Sequence, residues 1–390
     1  MKEKIKSIIR NMLKKKNYIN SQAIYQKYYK EIVVVNPCFI EPVEHEKEWL
    51  SHWRRYDRHL SPLCYRIFSH FMGKDKKIIP LELISSIIEP ILTPAKYREY
   101  YSDKNNFLRI LPSSFLPEYF LMDIDGLVYD MNYNVVSKNK IDKIIYGLTK
   151  RFDKIVIKPS RSSSGKGVQI IKKNIDGLFM DKNGNCFSYD LIKQIYNTNW
   201  TLQACINQSD YMSQFNSTSI NTIRIATYRN ENGDVQCMSA ILRIGAPEAE
   251  VDNAHAGGKF CGISVDGKLG NYVCDFLGRR ETVFNNLDFE HNEWKIPNYD
   301  KVKQFAIDVS KKIVHHDLVA LDIALDKDNE PILLEYNIKG FGSWIFPMSG
   351  NEVFGGLEDE IMERCYRQYQ KLEYYIWTPI HRGNGGVSRI

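Results

Sequence analysis

Ile155-Val156-Ile157-Lys158-Pro159-Ser160-Arg161-Ser162-Ser163-Ser164-Gly165-Lys166-Gly167-Val168 runs from an apolar strand into a lysine, through small residues, and out into a second apolar run. A lysine at a strand end followed by a loop of small residues lets backbone N–H groups approach a polyphosphate, because nothing bulky blocks them. Lys158 then serves as a point charge on the phosphates. Ser160, Ser162, Ser163, Ser164, Gly165, Lys166 and Gly167 form the covering loop. A Walker loop would need glycine at 160 and Ser or Thr at 167, and it would open a helix. Here Ser160 and Gly167 occupy those places, and Val168-Gln169-Ile170-Ile171 reads as a strand. The stretch is strand–loop–strand; standing alone, it also fits a polar surface hairpin.

A second constellation lies downstream. Leu318-Val319-Ala320-Leu321-Asp322-Ile323-Ala324-Leu325 is joined by Asp326-Lys327-Asp328-Asn329 to Pro331-Ile332-Leu333-Leu334-Glu335-Tyr336-Asn337. Glu335 and Asn337 lie two apart, on one face of their strand. Asp322, Glu335 and Asn337 are oxygen donors of the kind hard Mg²⁺ takes, with phosphate oxygens completing the shell. All three interrupt apolar runs, where a carboxylate needs a partner and a cation supplies one. A polar hairpin facing solvent is the alternative.

The two constellations, in this order, resemble the ATP-grasp superfamily. Lys158-Pro159-Ser160-Arg161 is similar to its D-alanine–D-alanine ligase branch, and Asp322, Glu335 and Asn337 match its magnesium triad. The resemblance implies an α+β fold in which two lobes clasp ATP, preceded by a mainly helical region. It implies ATP and Mg²⁺ as cofactors. Trp200 to Gln208 resembles the strand that holds adenine, through Gln203, Ala204, Cys205 and Ile206, with Gln208 or Asp210 for the ribose. Ser219-Ile220-Asn221-Thr222-Ile223-Arg224-Ile225 and His255-Ala256-Gly257-Gly258 resemble the narrower sugar-transfer-associated branch, linked to polysaccharide and capsule biosynthesis. On that likeness Asn221, His255, Gly257 and Gly258 are substrate candidates.

Two departures matter. Some relatives carry an arginine two residues before the metal aspartate; here Ala320 stands there, so Arg224 and Arg243, on two strands of a hairpin joined by Asn230-Glu231-Asn232-Gly233-Asp234, are the candidates to meet transition-state charge. The acceptor loop reads Ile338-Lys339-Gly340-Phe341-Gly342-Ser343-Trp344 instead of Pro-Gly. Phe341 or Trp344 would stack on a sugar or belong to the core.

Around these motifs the chain is 390 residues long, 43% hydrophobic and 26% charged, a globular composition. The divisions expected are a helical region 1–110, a segment 111–154, a lid lobe 155–210, a metal-bearing lobe 211–375 and a tail 376–390. Prolines 37, 42, 62, 80, 90 and 94 are expected to break the helical region into pieces. The net charge of +6 fits anionic nucleotides and gives no concentrated nucleic-acid patch. Basic residues gather at Lys2, Lys4, Lys6, Arg10, Lys14, Lys15 and Lys16 around helically spaced Ile5, Ile8, Ile9, Met12 and Leu13. That helix packs on its own domain or docks peripherally on a membrane or a glycosyltransferase. The 8 cysteines form no C-x-x-C pair, consistent with free thiols in a cytoplasmic protein. His315-His316 reads as the cationic end of a helix.

The chemistry implied is carboxylate–amine ligation. A phosphoryl group activates an acid, and an amine from a small-molecule or sugar-linked substrate displaces it. A kinase phosphorylating a hydroxyl, and a non-catalytic nucleotide-binding module that recruits glycosyltransferases, use the same motifs.

Overall fold

The computed structural model describes residues 2–73, 77–162, 165–249 and 257–371, with side chains from residue 11 onward. Ser163, Ser164, His255, the tail 376–390 and the basic side chains up to Arg10 lie outside the described residues. The chain forms two compact units: one takes the residues up to Glu99, Asp210–Ile323 and those from Tyr336 on; the other takes Tyr100–Ser209 and Ala324–Glu335.

The second unit is built on a six-stranded sheet. Its strands are β1 (Tyr119–Ile124), β2 (Leu127–Tyr129), β3 (Lys154–Pro159), β4 (Gln169–Lys173), β5 (Phe179–Met180) and β6 (Trp200–Ala204), in the order β2-β1-β6-β3-β4-β5. Every pairing is antiparallel. Ile141, Ile145 and Leu148 recur at helical spacing in Lys138–Leu148, so one stripe of that helix packs on Ile155, Ile157 and Leu202. Ser188 starts the helix Tyr189–Tyr196, its hydroxyl accepting from Leu191 N at 3.3 Å. Lys158 stands near the end of β3, opposite Thr201 of β6.

In the first unit the long helix Lys2–Val35 and the helices Glu46–Trp53 and Leu63–Met72 come first, followed by one run from Leu81 to Leu92. Pro90 does not break that run. The residues before it, Ile84–Ile88, widen into a π turn, which accommodates a residue with no N–H to give.

The sheet of this unit uses β7 (Thr222–Arg229), β8 (Val235–Ile244), β9 (Lys259–Ile263), β10 (Val273–Cys274) and β11 (Arg280–Glu281). A small separate hairpin, β12 (Val283–Phe284) and β13 (Leu287–Asp288), precedes the helix Tyr299–Lys312. Then come β14 (Leu318–Leu325) and β15 (Pro331–Asn337), giving the order β11-β10-β9-β8-β7-β14-β15. All of β14 is buried, which explains its unbroken apolar run around Asp322.

The helical region is not a body of its own. Tyr28, Tyr29, Trp49, Phe68 and Ile84 share one core with Ala226, Ile241, Phe260 and Leu318 of the sheet. The helices cover the sheet's apolar face, so neither part has a complete core without the other. The expected segments 111–154 and 155–210 likewise fall together in the second unit, except for Asp210, which belongs to the first.

Candidate nucleotide and metal site

Lys158 is 8% exposed, on a strand buried by its neighbours. A second lysine accompanies it. Lys104, 5% exposed, lies in the short turn Lys104–Asn106. Its Nζ stands 3.4 Å from Glu335 Oε2 and donates to Ser162 O at 2.8 Å. Burial pushes Lys158 down to about 8, and Lys104 adds repulsion while Glu335 and Cys205 offset part of it. Two buried lysines thus lie close enough to repel each other, and one of them, Lys104, pairs with Glu335.

The loop begins deeper than its sequence implies. Ser160 is fully buried; its N–H donates to Asn199 O at 2.8 Å and its carbonyl accepts from Lys104 N at 2.9 Å. It is the root of the loop, and Arg161, Gly165, Lys166 and Gly167 are its exposed part. Gly167 has φ +75°, and a Cβ there would lie 2.8 Å from Pro159 Cγ. Only glycine lets the loop fold back on Pro159.

β6 is an inner strand of its sheet. Gln203 is 1% exposed and pairs on both sides, with Tyr119 and Val156. Ala204 N donates to Glu118 O at 2.8 Å. The chain leaves the sheet at Cys205, Ile206 and Asn207, and Gln208 bridges to Asp326. Asp210 is exposed at the start of a short helix.

In the first unit, strand register assembles a cluster on Asp322. Asp322 of β14 is directly opposite Arg224 of β7, and Arg243 of β8 is opposite Thr222, which shares the face of Arg224. Arg224 Nε and Nη2 donate to the two carboxylate oxygens at 2.7 Å each. Arg243 Nη1 donates to Oδ2 at 3.0 Å and Asn337 Nδ2 to the same oxygen at 3.3 Å. Burial alone would raise the Asp322 pKa; Arg224, then Arg243, overcome it and hold the carboxyl below its ordinary value. Ala320, two residues earlier, pairs with Ala226, so the positive charge comes from two neighbouring strands.

The donor set suits a hard cation in kind: two carboxylates and one amide oxygen. Among the described residues no group of three His, Cys, Asp or Glu is arranged as a metal site. The buried Asp322 charge is balanced by two arginines. Metal binding there would share the crowded Oδ2 with Arg224 and Arg243 or use Oδ1, which accepts from Arg224 Nε alone.

The substrate candidates fare differently. Trp344 is 8% exposed, in edge contact with Tyr28 and Phe260; Phe341 packs on Phe346 and Phe354. Both belong to the core, so Trp344 is not a stacking platform. Asn221 is fully buried and donates from Nδ2 to Met212 O and Asn216 O at 2.8 Å, tying a turn. Gly257 is exposed with φ +87°, and Gly258 is buried. His315 stacks on Tyr97, while burial pushes His316 down to about 3, so this neutral ring caps no dipole; Lys311 and Lys312 end the helix instead.

Lys104 is the residue that sequence reading missed. Its only signal is a lysine between Asp103 and Asn105, a polar trio with no strand before it.

Antiparallel α+β units with a lysine-bearing strand–loop–strand and an acidic strand hairpin define an ATP-grasp protein. The chain belongs to the sugar-transfer associated ATP-grasp family, whose model matches residues 108–361. No curated protein sequence matches it. Among solved structures it is similar to the D-alanine–D-alanine ligase from Coxiella burnetii, with 12% identity, TM-score 0.38, and coverage of 70% of this chain and 59% of that one. It is similar to the ATP-grasp ligase PsnB in complex with a minimal precursor variant, Mg and ADP: 12% identity, TM-score 0.40, coverage 83% and 76%. The biotin carboxylase domain of 2-oxoglutarate carboxylase from Hydrogenobacter thermophilus, with MgADP, ADP and bicarbonate, matches at 11% identity and TM-score 0.36, over 62% of this chain and 41% of that one. The chain thus spans less than two thirds of the Coxiella and Hydrogenobacter chains. Among the described residues no helix is long and apolar enough to cross a membrane.

Proposed function

We propose that this protein is an ATP-dependent ligase that activates a carboxylic acid as its acyl phosphate for attack by an amine, on a sugar or polysaccharide precursor. ATP with Mg²⁺ is the cofactor pair of an ATP-grasp protein, and two of the similar structures hold ADP with magnesium.

One observation carries the reading: Lys104 and Lys158 are both buried and repel each other, and Lys104 alone is paired with a carboxylate, Glu335, at 3.4 Å. Like charges held together out of water are costly unless an anion joins them. A polyphosphate is such an anion, and the small-residue loop rooted at Ser160 offers it backbone N–H groups. Asp322, Glu335 and Asn337 are the residues that would hold Mg²⁺, which when bound neutralises phosphate charge.

The remaining groups have roles that follow from charge. A carboxylate is a poor electrophile toward amines. Transfer of the terminal phosphoryl group to its oxygen, with ADP leaving, supplies a good leaving group; the amine then forms the C–N bond and phosphate departs with loss of a proton. Arg224 and Arg243 stand ready for the negative charge of that transfer once they leave Asp322. The protein's contribution is placement and charge, which needs no residue of its own as nucleophile. The sugar link is suggested by the family's sugar-transfer association, and the acid and amine by the ligase-like loop and triad.

The test is stoichiometry. The protein is incubated with ATP, Mg²⁺ and panels of uronic or other sugar-linked acids paired with amino acids. ADP, free phosphate and an amide in equal amounts support the ligase. ADP with a phosphoester and no free phosphate makes it a kinase, and absence of turnover across the panels favours a binding module.

A further inference from the structure

Two successive residues of one turn, Asp103 and Lys104, grip three successive residues of the loop root. Asp103 is 3% exposed, Lys104 5% and Asn105 1%. Lys104 N donates to Ser160 O at 2.9 Å, and Lys104 Nζ donates to Ser162 O at 2.8 Å. Between those two, Arg161 Nε donates to Asp103 Oδ2 at 2.7 Å. The other oxygen, Asp103 Oδ1, accepts from Asn105 N at 3.0 Å and closes the turn. The turn is itself fixed: Asn105 Nδ2 donates to Asp123 O, and the Tyr133 hydroxyl donates to Asn105 O, each at 2.7 Å.

One carboxylate therefore does two things. It caps the turn that carries Lys104, and it holds the arginine next to the loop root. The proposed phosphate lysine Lys104 and the loop that starts at Ser160 are set relative to each other by Asp103. The Arg161 side chain is 54% exposed and that of Asp103 only 4%, so the buried partner is anchored and the exposed one is held to it. Such a half-solvated pair adds little to global stability. Its value lies in removing alternative poses of the loop before a ligand arrives.

We infer that Asp103 is a positioning residue for nucleoside-phosphate binding, acting through Arg161 to preset residues 160–162 and the Lys104 ammonium. The inference rests on the nucleotide reading of the preceding section.

The test is a double-mutant cycle on the full chain with MgADP as the probe. Asp103→Asn keeps an oxygen to cap the turn and removes the charge; Arg161→Gln removes the other partner. Calorimetry gives the dissociation constant, and amide exchange without nucleotide reports on residues 160–162. Each single variant is expected to bind MgADP roughly fivefold more weakly, the double variant no worse than either, as for a coupled contact pair. Exchange at 160–162 should rise in both singles, with the melting temperature moved by about 2 °C or less. Additive losses, or unchanged affinity and exchange, overturn the proposal. Should wild type fail to bind MgADP while exchange still rises in both singles, the latch stands and the nucleotide reading falls.

Discussion

Arg224 meets Asp322 at two points, Nε to Oδ1 and Nη2 to Oδ2, both at 2.7 Å, with the carboxylate 2% exposed. The contact follows from strand register, since the two residues are direct partners across β7 and β14. It means that the aspartate offered as a metal ligand is already saturated with positive charge. A metal and these arginines compete for the same oxygens.

Removing Arg224 therefore separates two effects. Arg224→Ala leaves a buried carboxylate with Arg243 and Asn337 as partners, and should cost about 3 kcal/mol of stability in urea unfolding without metal. Millimolar Mg²⁺ with ADP should restore more stability to this variant than to wild type, because the competitor is gone. An equal response in both proteins would show that Asp322 does not bind the metal.

Lys158 sets the pH dependence of nucleotide binding. Burial, then Lys104, lowers its pKa from 10.5 to about 8 in the free protein. Above that pH the free protein loses the ammonium proton, while a bound phosphate favours keeping it. Binding then takes up a proton, and affinity falls as pH rises from 8 toward 10.5. The MgADP dissociation constant should rise by about thirtyfold between pH 7 and 9.5. Calorimetry in buffers of different ionisation enthalpy reports the proton directly, and Lys158→Met should abolish both signals.

Glu82 makes folding stability fall with pH in the opposite part of the scale. It is fully buried, accepts from the Tyr29 hydroxyl at 2.9 Å and from Gln26 Nε2 at 3.3 Å, and burial raises it from 4.5 to about 7. The folded state holds the proton more tightly than the unfolded chain, so stability is greatest below pH 4.5 for this group and is lost as pH rises through 7. The loss amounts to about 3 kcal/mol at most. Denaturant unfolding at pH 5 and 8 should show that slope in wild type and a shallower one in Glu82→Gln. Glu358, also raised to about 7, keeps the slope from vanishing.

The parts legible in the sequence are those whose signal is local. β14 and β15 span the residues their apolar runs mark: β14 is buried throughout, and β15 buries Pro331, Leu333 and Tyr336. The hairpin of β7 and β8 was announced by its Asn-Gly turn, and the strand β4 by the residues after Gly167. What stayed hidden depends on distant chain segments. Lys104 acquires its place from a turn anchored on β1, 54 residues before Lys158. The arginine partners of Asp322 come from register across three strands, which no spacing reveals. Sequence left Trp344 as sugar platform or core; Tyr28 of the first helix, in edge contact with it, decides for the core.

The central claim is that Lys104 and Lys158 form the phosphate end of a magnesium-nucleotide site. It is tested most directly by titrating a non-hydrolysable ATP analogue with Mg²⁺ into wild type, Lys104→Met and Lys158→Met, calorimetrically at pH 7. The account predicts saturable one-to-one binding to wild type and at least about tenfold weaker binding to each variant, the scale of one lost charge-assisted contact. Wild-type protein that does not bind the analogue, or variants that bind it as tightly as wild type, would contradict it.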